Sequence, residues 1–408
     1  MKVSFTYIYS FFIYIIILLN LGFVNLFFQS DRITFKVSII LAIIVFFIYM
    51  FQPRKKYINK NIIIYLILAF SLYIIEFLRK MRPFSISKDN MIYQFGGIIL
   101  LLLIFPISEI LCTEKKKFLS TIVTLGYVIL LIKFGVWFFY NFFNINLAPG
   151  IWGYKIEWTR VFMGHVFTRL SGTFIDALLW VYSFTMLIDI NNKLHKRILG
   201  GIGMIFLLFY AIVVTQYRMI LILYILTLLL LLFYISYRSN KRAASILILI
   251  LFFCLILIVN WSSISSFIST FSVNNSITGG STSFRLLEFK YFNSLWLQNN
   301  FLFGFGFIPD MVIPYNGAGY YLSDLGFMAN LYQFGIIGFC ILLLPFILGL
   351  IKSFRFFHLN NYVNRNFMLI FLGLTIYMIM NLIPYNPYNP SLISLMPIYI
   401  SILNYYSL

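Results

Sequence analysis

The sequence predicts an all-α polytopic membrane protein: one transmembrane domain over 1–408, with about 12 membrane-spanning helices and two longer extracytoplasmic loops at 140–173 and 263–326. Three observations carry that prediction. Of the 408 residues, 62% are hydrophobic and only 10% charged, whereas roughly a quarter of a soluble domain is charged. Apolar runs of about 20 residues, the length of one bilayer span, recur along the whole chain. Short basic clusters separate those runs, the pattern that orients a multi-pass chain. A net charge of +19 suggests nucleic acid in a soluble protein. Here the cations sit between apolar runs, so they mark topology and no nucleic-acid partner is expected.

The expected spans fall near 7–28, 37–51, 62–78, 91–108, 119–139, 174–190, 198–217, 219–236, 245–262, 327–351, 366–383 and 392–406. The first follows Met1-Lys2 and lacks a small-residue cleavage site, so it is expected to be retained rather than removed as a signal peptide. With the N-terminus inside, the inner loops carry Arg54 to Lys56 and Lys60, Lys115 to Lys117, Lys193, Lys196 and Arg197, Arg238, Lys241 and Arg242, and Lys352, Arg355 and Arg365. The outer side carries fewer, which places both termini in the cytoplasm. The 79–90 segment, with Arg79, Lys80, Arg82 and Lys88, is too basic for an outer loop and is where this topology strains. Cys112, Cys254 and Cys340 lie in or beside apolar runs without metal-ligand spacing, which predicts no disulfide and no metal.

The outer face still keeps many cations, and one use for them is an anionic ligand. The stretch from Ile198 to Ser236 is nearly unbroken apolar sequence, too long for one span of about 20 residues. The chain must turn at Thr215-Gln216-Tyr217-Arg218, which puts Arg218 in a tight outer hairpin; the plain alternative is a snorkelling arginine marking the interface. Arg169-Leu170-Ser171-Gly172-Thr173-Phe174 enters the sixth span, with Asp176 one turn on as a neutralising partner for Arg169. Glu157, Arg160 and His165 precede it, the histidine in a structural role.

In the second loop, Ser281-Thr282-Ser283 precedes a helix expected from Phe284 to about Gln298. Phe284, Leu287, Tyr291 and Leu295 share one face of it, as in an amphipathic helix at the membrane interface. Arg285 and Glu288 are spaced for an ion pair on that helix, or for an arginine that faces phosphate while the carboxylate holds it. Gly304 and Gly306 lie between aromatic residues, where they permit a tight turn or a close backbone approach. Asp324 precedes the tenth span, as an N-cap or a general base. Guanidinium groups bind phosphate bidentately and stay charged, so Arg169, Arg218 and Arg285 from three loops suit a pyrophosphate better than a neutral ligand.

The order of these features resembles the O-antigen polymerase and ligase superfamily over 160–340. It comprises Arg169 with Gly172, the Thr-x-x-Arg hairpin ending at Arg218, Arg285, Gly304-Phe305-Gly306-Phe307, Asp324, and Gly335-Ile336-Ile337-Gly338. The likeness is greatest to Wzy-type repeat-unit polymerases, and the flanking helices match only in hydropathy. Ligases of the superfamily carry His-Asn ahead of the Gly-x-x-Gly, where this chain has Asp324-Leu325, and that favours a polymerase. The family's Thr-x-Ser-Arg is Thr215-Gln216-Tyr217-Arg218 here, which keeps the arginine and loses the hydroxyl before it.

The resemblance implies a glycosyltransferase of the bacterial inner (cytoplasmic) membrane, acting at the outer leaflet. It would polymerise undecaprenyl-pyrophosphate-linked oligosaccharide repeat units into capsule, exopolysaccharide or O-antigen, without cofactor or metal. The arginines would stabilise the departing pyrophosphate, and Asp324 or Glu288 would take the proton of the attacking sugar hydroxyl. The implied partners are the lipid-linked oligosaccharide, the bilayer and a chain-length regulator protein. Rival readings are an O-antigen ligase-type transferase, separated by its acceptor, and a lipid-linked oligosaccharide flippase or transporter. A flippase lines a central cavity with cations, whereas only Lys133, Glu76, Asp176 and Asp189 lie within or near the ends of apolar runs. A purely structural scaffold fits the long polar outer loop least.

Overall fold

The computed structural model of the chain describes residues 5–28, 31–52, 58–79, 84–152, 159–162, 165–189, 191–237, 279–298, 301–309, 311–313, 319–358, 365–390 and 392–407. Among the described residues, seven helices are long and apolar enough to cross a membrane. Three shorter apolar helices, Asp176–Ile188, Asn366–Asn381 and Ile393–Tyr405, accompany them. The protein is thus all-α and multi-pass. The expected span at 245–262, Cys254 and Glu157 lie outside the described residues.

The chain opens with α1 (Phe5–Asn20) and α2 (Phe23–Phe27), which bend at Gly22, φ 80°, and together give the span Tyr7–Phe27 where 7–28 was expected. Then come α3 (Asp31–Met50), α4 (Lys60–Leu78) and α5 (Lys88–Ile99). A 3-10 turn at Leu100–Leu103 leads from α5 into α6 (Ile104–Phe143). The two spans expected at 91–108 and 119–139 therefore join as one bent rod, kinked where Glu114 leaves helical geometry beside the basic run Lys115 to Lys117. There the Lys115 ammonium donates to the Tyr405 hydroxyl at 2.6 Å and sits 4.6 Å from the centre of its ring.

After the short α7 (Pro149–Trp152) comes a two-stranded antiparallel hairpin, β1 (Thr159–Phe162) and β2 (His165–Thr168), which pairs Arg160 with Phe167 and Phe162 with His165. The all-helical expectation did not include it. Its signal is local: two β-branched and aromatic tetrads two residues apart. The remaining helices are α8 (Asp176–Ile188), α9 (Leu194–Phe209) with a π-helical end at Tyr210–Thr215, and α10 (Arg218–Tyr237). They are followed by α11 (Gly279–Gln298), α12 (Met328–His358), α13 (Arg365–Asn381) and α14 (Met396–Tyr405).

Helix α8 is the buried axis, which is why its sequence is apolar all round. Gly126 of α6 and Gly200 of α9 let their helices close on it: a Cβ at either would meet Ile175 or the Ser183 carbonyl at 2.6 Å. Trp180 stacks on Tyr224 of α10 at 4.6 Å and donates to its carbonyl at 3.1 Å.

Polar contacts gather at the two ends of the bundle. At one end Asn59 bonds Asn404 and Ser407, Lys115 bonds Tyr405, Lys352 bonds Tyr406 and Asn366 bonds Asp189. At the other, Arg32 and Lys36 reach Asp89, Phe327 N donates to Leu382 O, and Arg79 donates to Gly304 O at 2.9 Å. Arg79 also pairs with the buried Glu76 at 3.4 Å. Of the basic 79–90 segment, Arg79 therefore lies at the same end as 301–309 and uses its charge to fix that loop.

Candidate functional site

The site is built on a loop that carries its own small core. Phe292, Phe305, Ile308, Val312, Tyr320 and Tyr332 bury one another, with Phe284 and Trp296 packed alongside. Helix α11 begins five residues before its expected start. Glu288 and Phe292 are fully buried, whereas Leu287 is 49% exposed. The reason is polar: the Glu288 carboxylate accepts from Tyr321 N at 2.9 Å, which anchors that side of the helix to the chain leading into Asp324. Of the expected apolar face, Phe284 and Tyr291 pack against this core, whereas Leu287, like Leu286 and Phe289, is exposed.

Two glycines and a helix break hold this loop on the bundle. Helix α12 departs from helical geometry at Gly335, with φ 65° and ψ −170°. The loop supplies partners there: Ile336 N donates to Phe301 O, Ile337 N to Leu302 O, Phe305 N to Tyr332 O and Gly306 N to Gln333 O. Irregular backbone within a membrane protein needs such satisfaction. Gly304 and Gly306 have φ of 65° and 80°. A Cβ on Gly304 would lie 2.5 Å from two helix carbonyl oxygens, so both the left-handed backbone and the close approach require glycine.

The Arg169 wall is assembled from α6, the β-hairpin and the π-helical turn. Trp137 Nε1 donates to Thr168 O at 2.8 Å and Thr168 N donates to Asn141 Oδ1 at 2.7 Å, which clamps the end of β2 to α6. The chain then runs extended, with Leu170 N on Val214 O and the Gly172 carbonyl on the Lys133 ammonium at 2.9 Å. Arg169 Nε donates to Thr215 O at 2.8 Å, and its guanidinium carbon lies 4.3 Å from the centre of the Tyr217 ring. Its Nη2 is buried and makes no hydrogen bond. The expected pairing of Arg169 with Asp176 does not form. Asp176 instead accepts from the amide and hydroxyl of Thr173, with Lys133 as the cation near it.

The hairpin inferred from the long apolar stretch is present and strained. Gln216 takes a left-handed backbone, φ 53°, unusual for a residue with a side chain. Arg218 follows as the first residue of α10. Burial pulls the Arg169 guanidinium below the usual arginine value and the like charge of Arg218 adds to this, while Tyr217 and Tyr385 oppose it. Like charges repel, and an anion bound by both arginines would offset that cost.

Arg285, Asp324 and Glu288 form the facing side. Arg285 is exposed and makes no ion pair with Glu288 among the described residues. Asp324 lies in a 3-10 turn, Leu322–Leu325, whose N-cap residue Tyr321 makes no side-chain capping bond. Its carboxyl is raised above the usual range, by desolvation first, with Arg285 opposing. Burial, aided by the charge of Asp324, pushes Glu288 up to about 7 against the Tyr321 amide and Arg285. Burial raises the Tyr385 hydroxyl, Tyr217 adds to the effect, and both Arg285 and Arg169 pull the other way.

Arg169 thus feels the charge of Arg218, Tyr385 feels both Arg169 and Arg285, and Asp324 and Glu288 feel Arg285. Gly304 and Gly306 hold the loop rather than line this cluster. Tyr217 and Tyr385 were missed in the sequence. The first stands beside Arg218, and the second begins a polar Tyr-Asn-Pro-Tyr-Asn-Pro run, residues 385–390, that interrupts two apolar helices. In comparisons with known proteins, no family model and no curated protein matches the chain.

Proposed function

We propose that this chain is a polysaccharide polymerase of the Wzy type, a metal-independent membrane glycosyltransferase that lengthens undecaprenyl-pyrophosphate-linked glycans. The observation that carries the reading is that Arg169 and Arg285, from separate segments, both act on Tyr385, while Arg218 acts on Arg169 and Arg285 on Asp324. In this reading the chain spans the bacterial inner membrane about twelve times. The loops at 140–173 and 263–326 lie outside it, and the cluster faces the outer leaflet.

The chemistry follows from the charges. A non-reducing-end hydroxyl of the acceptor repeat unit attacks C1 of the sugar at the reducing end of the growing glycan. The new glycosidic C–O bond forms as the bond from C1 to the pyrophosphate oxygen breaks, and the electron pair leaves with the lipid pyrophosphate. Asp324 takes the hydroxyl proton; its raised value brings it nearer to a working general base. Arg169, Arg218 and Arg285 meet the charge that grows on the leaving group, where fixed donors need no reorganisation. Glu288, buried beneath Asp324, sets the turn that carries it.

The test is purified protein in liposomes with lipid-linked repeat units. Longer glycans should appear with release of one undecaprenyl pyrophosphate per repeat joined. Movement of the substrate across the bilayer without lengthening would instead support the transporter reading.

A further inference from the structure

Beside the charged cluster lies a cavity of about 290 Å³, close to the roughly 300 Å³ at which ligand sites begin. Its polar lining comprises the amides Gln94, Asn330, Gln333, Asn386 and Asn389 together with Ser323 and hydroxyl-bearing tyrosines, Tyr73 among them, and among the described residues no Lys, Arg, His, Asp or Glu contributes to it. The rings of Tyr73, Phe307 and Phe334 supply flat apolar faces.

These amides are held in place. Gln94 donates to Ile308 O at 2.6 Å and accepts from Gln333 at 3.4 Å. Asn330 and Asn386 exchange two bonds of 2.9 Å each. A primary amide has two N–H donors and two acceptor lone pairs, so Asn330 and Gln333 keep capacity for a ligand. Two segments of the wall lead straight to the catalytic cluster. Ser323 lines the cavity and is followed by Asp324, while Asn386 lines it and is preceded by Tyr385, which feels Arg169 and Arg285.

We propose that this cavity is the acceptor subsite, and that it takes a neutral sugar ring whose hydroxyl is presented to Asp324. The inference rests on the polymerase reading and names the class of its second substrate. A sugar offers hydroxyls that match fixed amides, and C–H faces that match aromatic rings. An apolar ligand would leave the remaining donors and acceptors of the amides unmet, and an acidic sugar would find no counter-charge among the described lining residues. The wall therefore selects for uncharged rings and sets which hydroxyl is glycosylated.

The experiment measures, by titration calorimetry on the full chain in detergent, the binding of two probes. One is the repeat-unit oligosaccharide freed of its lipid pyrophosphate, and the other is inorganic pyrophosphate. Gln333→Leu should lower glycan affinity about tenfold, as expected for one or two lost hydrogen bonds, and leave pyrophosphate affinity unchanged. Tyr73→Phe removes a single hydroxyl, so it should weaken the glycan severalfold at an unaltered melting temperature. Arg285→Gln should do the reverse, weakening pyrophosphate alone. The subsite is overturned if the parent binds no freed glycan while binding pyrophosphate, or if both cavity variants bind glycan like the parent; the arginine assignment survives either result. Glycan binding that follows the cavity variants, together with pyrophosphate binding that ignores Arg285, supports the subsite and removes the arginine assignment.

Discussion

Replacing Glu288 by Gln separates a buried acid from a working carboxylate. The side chain is 0% exposed, one oxygen accepts from Tyr321 N at 2.9 Å, and Oε2 makes no hydrogen bond. Its pKa is pushed from 4.5 up to about 7, chiefly by burial. An unfolded glutamate ionises near 4.3, so between roughly 4.3 and 7 the folded protein holds a proton that the unfolded chain releases. The stability this gives is complete below the unfolded value and is lost as pH rises through about 7. At about 1.4 kcal/mol per unit the full shift amounts to roughly 3 kcal/mol, and solvent screening near the end of the bundle reduces it to about 1–2 kcal/mol. Glutamine keeps the acceptor for Tyr321 and never ionises. Melting in detergent, followed by tryptophan fluorescence, should coincide for parent and Glu288→Gln near pH 5. By pH 8.5 the variant should melt about 2–4 °C higher, at roughly 2 °C per kcal/mol for a long chain. Parallel curves over the whole range, or a variant that is less stable at pH 8, would mean an ionised carboxylate held by a positive partner and would refute the reasoning.

Asp324→Asn should leave the fold and donor binding intact while slowing polymerisation on the order of 100-fold, and should abolish the acid limb of the pH–rate profile. Near-normal glycan lengthening by this variant would reduce Asp324 to a turn residue. Gly304→Ala should cost at least about 1–2 kcal/mol of stability from its left-handed backbone alone, before any clash with the helix carbonyls. An unchanged melting temperature would show that the loop is not clamped to the break in α12. Tyr217→Leu should weaken inorganic pyrophosphate binding severalfold by freeing Arg169 from its ring, in line with about 0.5–2 kcal/mol for such contacts. Tyr217→Phe should not, and equal behaviour of the two variants would exclude the ring contact.

Much of the frame was legible because spans are governed by one strong term, the cost of placing polar backbone or charge in hydrocarbon. That term located the turn at Thr215 to Arg218 within an otherwise continuous apolar stretch, and a π-helical end with a left-handed Gln216 is how the chain makes it. The same term cannot see rotation about a helix axis. On α11 it grouped Leu287 with Phe284 and Tyr291, whereas Glu288, bonded to Tyr321 N, is the residue buried beside those two rings. Charge counting likewise strained at 79–90, because it cannot distinguish a cation that marks topology from Arg79, which binds the Gly304 carbonyl. The arginines were chosen by residue type and loop position. Tyr217 and Tyr385, which act on Arg169, carry no charge and are two of 29 tyrosines, so only the fold singles them out.

The most direct test of the central claim is glycan length in liposomes holding the parent, Arg218→Lys or Arg285→Lys, each supplied with lipid-linked repeat units. Lysine keeps the positive charge and loses the planar fork, so a bidentate contact with pyrophosphate suffers even from this mild change. The account predicts long glycans from the parent and mostly single repeats from each variant at equal protein levels. Polymerisation by both variants at the parent's rate and length would contradict it.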